Sequence, residues 1–200
     1  MTGTNAVPED DRLEVSCTEV REPPGQIAVD SQPLSPFQRI LLATDGTVTE
    51  ILEAHAGEAI QIVKLCQKCT ESKVAVPSLD VRAQAPILIR KVILHGKSSN
   101  RNYIYAESVV VLDRLDDRIR YGLTETQKPV GQLMLEARLE TFREILSCCY
   151  EPAEEIGTYF DIARVDTLIS RTYRIFANRQ PFLLITEKFP ATAFRDEGYG

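Results

Sequence analysis

The first third of the chain changes character at Pro33, where regularly spaced apolar positions begin. Residues 1–33 contain Pro8, Pro23-Pro24-Gly25 and Pro33 with little apolar periodicity, which predicts a disordered or loosely attached leader. Ser35-Pro36 then offers an N-cap residue followed by proline at the first helical position. Phe37, Ile40, Leu41 and Leu42 predict a short helix that stops near Asp45-Gly46. Thr47-x-x-Glu50 has the spacing of a capping box and opens a second helix. Its apolar face is Ile51, Leu52 and Ala56, and Gly57 suits the cap after its end.

Beyond Gly57 the signals turn to strands. Residues 59–65 (AIQIVKL) are β-rich, and residues 87–94 (ILIRKVIL) are apolar with a charged pair inside. The turn-rich stretch 96–102 separates the latter from 103–112 (YIYAESVVVL), so the two read as a hairpin. Residues 113–121 are helical or a charged turn, Pro129-Val130-Gly131 opens another helix, and 141–149 fit either helix or strand. Residues 172–177 (TYRIFA) and 182–189 (FLLITEKF) flank a turn at 178–181 and form a second hairpin. Neighbouring strands with helices set between them predict an α+β single domain over 34–200, with a mostly antiparallel sheet and helices packed to one side.

Composition narrows the function classes. The 44% hydrophobic and 26% charged fractions are those of an ordinary globular domain, and no run of eighteen apolar residues could span a membrane. The N-terminus has no basic stretch leading into an apolar one, so a cytoplasmic location is expected. Of the net charge of −6, the leader alone carries −5, from seven acidic and two basic side chains. The body is left with no basic surplus to neutralise phosphates, so no nucleic-acid partner is expected. Five cysteines, an odd number, do not look like a disulfide framework and are expected to be buried, reduced thiols. Cys66-x-x-Cys69 lacks two further zinc ligands at sensible spacing, so no metal is expected.

Two charges sit inside otherwise apolar strands: Arg90 in ILIRKVIL and Glu187 in FLLITEKF. Each has a charged neighbour, Lys91 and Lys188, which alternation would send to the opposite, solvated face. A lone buried charge costs several kcal/mol or more, so an inward Arg90 or Glu187 needs a partner or a purpose. Three readings stay open: both face water, both serve a site, or they form a structural ion pair.

Five motifs in order carry a resemblance: LLATDGTVTEIL at 41–52, IRKVILHG at 89–96, YIYAESVVVLDRL at 103–115, KPVG at 128–131 and TYRIFANRQPFLLITEKFP at 172–190. Together they make the chain similar to the chorismate pyruvate-lyase family, in its cyanobacterial, plastid and actinobacterial branch. The resemblance implies a chorismate lyase-like fold with a water-excluding pocket and a cofactor-free elimination of pyruvate from chorismate. It gives 4-hydroxybenzoate, for use in quinone biosynthesis; nothing in the sequence demands an oligomer, so a monomer or weak oligomer is expected. The resemblance also implies that Arg90 grips the ring carboxylate, that Glu187 holds the 4-hydroxyl as a neutral acid, and that the amides of Val48 and Val130 complete the anion site. One departure stands out: where the ubiquinone-pathway branch has a Gly-Arg pair, this chain has Ala106-Glu107, with Glu107 either at the surface or in the pocket. A different class shares the fold: non-catalytic effector-binding modules of transcription regulators. Those modules follow a winged-helix segment, for which 33 acidic, proline-rich residues are too few and wrongly charged.

Overall fold

The computed structural model describes Cys17, residues 34–126 and residues 128–195. Two helices, α1 (Pro36–Ala43) and α2 (Val48–Ala56), lead into strands β1 (Ile60–Glu71), β2 (Pro86–Gly96) and β3 (Asn102–Val111). Helices α3 (Asp117–Glu125) and α4 (Val130–Glu136) follow, then β4 (Thr141–Pro152), β5 (Thr167–Ala177) and β6 (Gln180–Pro190). The six strands form one antiparallel sheet in the order β1-β2-β3-β6-β5-β4. The expected α+β architecture is therefore present. The segment left open between helix and strand is the edge strand β4.

Local chemistry accounts for the element ends. Ser35 caps α1 through a full capping box: its hydroxyl accepts from the Gln38 amide, and the Gln38 side chain accepts from the Ser35 amide. The capping box expected at Thr47 does not form, because Thr47 caps α2 with its backbone alone. Gly57 ends α2 in the left-handed conformation at φ 67°. Asn178 and Arg179, both at positive φ, make the two-residue turn between β5 and β6.

Alternation across the sheet decides what each face buries. On one face, α1 and α2 pack Leu41, Leu42, Val48 and Leu52 against Leu94, Ala106 and Phe189. Further along the same face, α3 and α4 pack Ile119, Leu123, Leu133 and Met134 against Leu88, Tyr173, Ile175 and Ile185. The opposite face is covered by the loop between β1 and β2, whose Val76, Leu79 and Val81 lie on Ile87, Ile89, Val109 and Leu184. The four helices thus share one side of the sheet, and the gap between their two apolar cores holds the site.

Two further expectations fail. Cys17 and Cys66 are joined as a disulfide with Cα atoms 6.1 Å apart, and Cys69 is exposed, so the five cysteines are not uniformly buried, reduced thiols. The rest of the leader expected over 1–33 lies outside the described residues. Lys188, expected to face water opposite Glu187, is only 5% exposed and pairs with Glu151 at 3.0 Å on the far face. Both faces of β6 are covered, so alternation there separates two buried environments rather than inside from outside.

Candidate active site

Register brings the charged residues to one face. Arg90 on β2 pairs with Ser108 on β3, Ser108 with Ile185 on β6, and Ile185 with Tyr173 on β5. Glu187, two residues beyond Ile185, opposes Ala106 on β3 and Arg171 on β5. Arg90 and Glu187 therefore face the same way, and both line a pocket of about 630 Å3, mouth included. The walls are largely apolar, with Ile62, Val92, Leu94, Ala106, Met134 and Ile175 among them.

Arg90 is 4% exposed and makes no hydrogen bond or ion pair with any described residue; its Nε is buried without an acceptor. Burial pushes its guanidinium pKa below the usual value. Lys64 on the neighbouring strand is pushed down too, first by burial and then by the charge on Arg90. The ion pair between Arg90 and Glu187, one of the three sequence readings, is absent.

Glu187 is held differently. Arg171 Nη2 donates to its Oε2 at 2.8 Å, and the Tyr173 hydroxyl donates to its Oε1 at 3.0 Å. Burial, the largest single influence, would lower the pKa of Arg171, but the Glu187 carboxylate together with Tyr173 and Cys148 raises it overall. Burial and the Glu187 charge both drive the Tyr173 phenol well above its ordinary value. Glu187 is thus held by a guanidinium and a phenol rather than standing alone in an apolar pocket. Arg171, missed in the sequence, is 1% exposed and also donates to the Thr44 carbonyl at 2.9 Å, which ties β5 to the loop before α2.

Val48 and Val130 are the first residues of α2 and α4, and both line the pocket. Amides at helix starts lack intrahelical acceptors and favour anions. Gly131 lets the two helix starts meet: a Cβ on it would stand 2.9 Å from Thr47 Cγ2. The Thr47 side chain lies against Gly131 and makes no capping hydrogen bond. Glu107 points to the other face, where it accepts from the Tyr105 hydroxyl at 3.0 Å, which resolves its placement away from the pocket.

The family model described as "Chorismate pyruvate-lyase Rv2949c-like" matches residues 42–195. The chain belongs to this family. The chorismate pyruvate-lyase of Mycobacterium leprae (strain TN) is 33% identical over 164 residues, covering 79% of this chain and 76% of that protein. The chorismate pyruvate-lyase of Mycobacterium tuberculosis (strain ATCC 25618 / H37Rv) is 28% identical over 169 residues, covering 79% of this chain and 81% of that protein. Among solved structures, the effector domain of PhnF from Mycobacterium smegmatis superposes with a TM-score of 0.58 at 12% identity, covering 72% of this chain and 88% of that one. A GntR-family transcriptional regulator from Enterococcus faecalis V583 does so with a TM-score of 0.53 at 15% identity, covering 67% and 96%. At such identities the structural likeness speaks for the fold alone, so lyases and regulator effector domains share this sheet. The described residues include no helix long and apolar enough to cross a membrane.

Proposed function

We propose that this chain is a chorismate pyruvate-lyase that converts chorismate into 4-hydroxybenzoate and pyruvate without a cofactor, acting in the cytoplasm as a monomer or weak oligomer. One observation carries the reading: Arg90 is buried in a largely apolar pocket with no described counter-charge. A buried, unpaired cation costs several kcal/mol, and a bound carboxylate would remove that cost. The planar fork of a guanidinium matches a carboxylate with two parallel charge-assisted hydrogen bonds. The amides of Val48 and Val130 would supply further donors to the same ring carboxylate.

Glu187 would accept a hydrogen bond from the 4-hydroxyl, its orientation fixed by Arg171 and Tyr173. In the reaction, the C3–O bond to the enolpyruvyl arm breaks and the hydrogen on C4 moves to the arm's methylene carbon, directly or stepwise. The ring becomes 4-hydroxybenzoate and the arm leaves as pyruvate. Aromatisation supplies the driving force, so the protein's task is to orient the arm and exclude water. Well-oriented intramolecular reactions gain on the order of 7–11 kcal/mol.

Purified protein incubated with chorismate should release equal amounts of pyruvate and 4-hydroxybenzoate, measured by chromatography against authentic standards. Formation of 3-hydroxybenzoate would demand another bond-breaking route. Tight 4-hydroxybenzoate binding by folded protein with no turnover would make the chain an effector-binding module instead.

A further inference from the structure

Chorismate carries two carboxylates, one on the ring and one on the enolpyruvyl arm, and Arg90 with its neighbouring amides accounts for one. The pocket has a second guanidinium, Arg143, on the edge strand β4. Arg143 Nη1 donates to the Gly46 carbonyl in the loop before α2, and the guanidinium lies 5.7 Å from the centre of the Tyr173 ring. Among the described residues it makes no other hydrogen bond and pairs with no carboxylate. This contrasts with Arg171 and Arg174, each of which has one at 2.7–2.8 Å.

Resting on the lyase reading, we propose that Arg143 receives the carboxylate of the enolpyruvyl arm. Position supports the assignment. Arg90 on β2 and Arg143 on β4 are four strands apart, about 19 Å across a flat sheet, and their long side chains reach in from either side. Glu187, on β6, lies between them in strand order and on the same face. On the substrate the arm springs from C3, next to the hydroxyl-bearing C4 and meta to the carboxylate on C1, so a cation beyond the hydroxyl acceptor, away from Arg90, lies where the arm's carboxylate can reach it. The Tyr173 ring lies beside Arg143 and its hydroxyl binds Glu187, so the acceptor and second cation are joined by one rigid side chain.

Discrimination follows. The arm carboxylate departs with pyruvate, so Arg143 would favour the dicarboxylate substrate while contributing nothing to the retained monocarboxylate product. Arg90 would hold both.

The experiment compares two probes: 4-hydroxybenzoate, and 3-(1-carboxyvinyloxy)benzoate, which bears both carboxylates on an already aromatic ring and cannot eliminate. In Arg143→Gln, the KM for chorismate and the Kd of the dicarboxylate should rise about tenfold to a hundredfold, the loss typical of charged hydrogen bonds. The Kd of 4-hydroxybenzoate should be unchanged, and Arg143→Lys should recover part of the loss by restoring charge without the fork. Arg90→Gln should weaken both probes. Equal weakening of both probes in Arg143→Gln, or weakening of neither, overturns the proposal. Should Arg143→Gln fail to fold, Arg143→Lys is read the same way: the dicarboxylate weakened and the benzoate unchanged supports it, and any other pattern overturns it. If the wild type binds the dicarboxylate through Arg143 yet never turns chorismate over, the lyase reading fails while the second anion site stands.

Discussion

Two arginines are buried in the same face of this sheet, Arg90 at 4% and Arg171 at 1% exposure, and they are treated in opposite ways. Arg171 is satisfied from within: a carboxylate at 2.8 Å, a backbone carbonyl at 2.9 Å and the face of the Tyr173 ring at 4.6 Å. Arg90 has none of these among the described residues, and burial alone sets its pKa shift. A charge whose partner comes from the fold is structure, whereas one left without a partner in a cavity is a receptor for something that arrives. The difference matters at Glu187, which touches substrate in the proposed reaction but is oriented by Arg171. Arg171 is accordingly a positioning residue.

The largest effect should come from breaking the satisfied half. Arg171→Met removes the partner of a buried carboxylate and is expected to cost about 3–5 kcal/mol of folding stability, measured by urea denaturation. Replacing Glu187 by Leu in the same protein should restore much of that loss, because no buried charge is then stranded. A single substitution as mild as its Arg90 counterpart would erase the distinction drawn between the two arginines.

The unsatisfied half should respond with the opposite sign. Arg90→Met removes a buried charge that nothing balances, so the ligand-free protein should be as stable as wild type or more so, by about 1 kcal/mol or more. Activity should fall steeply all the same, with kcat/KM down by the equivalent of about 2–5 kcal/mol. Arg174→Ala should cost far less activity, since Arg174 bonds Glu144 and the Ser78 carbonyl on the far face. Added 4-hydroxybenzoate should raise the melting temperature of wild type and not of Arg90→Met, because only a protein that binds the ligand gains from it.

How far these two halves could be read from sequence differs for a physical reason. Arg90 and Glu187 stand out because a charge inside an apolar run is visible without knowing any pairing. Arg171 became significant only through register, which a bulge conceals. The turn at Asn178-Arg179 pairs Ala177 with Gln180, and unbroken alternation from there would set Glu187 against Ser170. A register shift between Ile175 and Phe176 moves the pairing by one residue and places Arg171 opposite Glu187 instead. Thr47 failed for a related reason: its spacing to Glu50 was legible, but its packing on Gly131, more than eighty residues away, was not. The Cys17–Cys66 pairing likewise joins segments whose proximity no local pattern announces.

Gly131 offers the finest test of the comparison, because it serves the Arg90 half without touching the Arg171 half. Its missing Cβ allows the starts of α2 and α4, and with them the amides of Val48 and Val130, to converge on the pocket. In Gly131→Ala the new methyl would press on Thr47 Cγ2, part of a β-branched side chain with little rotameric freedom. The helix starts should separate by a few tenths of an ångström. Alanine favours the helix intrinsically by about 1 kcal/mol over glycine, so folding stability should change little while the anion site loosens. The expected outcome is a several-fold weaker affinity for 4-hydroxybenzoate by calorimetry, on the order of 1 kcal/mol, with the denaturation midpoint nearly unmoved. Unaltered affinity would mean that the two amides do not act together on the carboxylate and that Arg90 holds it alone.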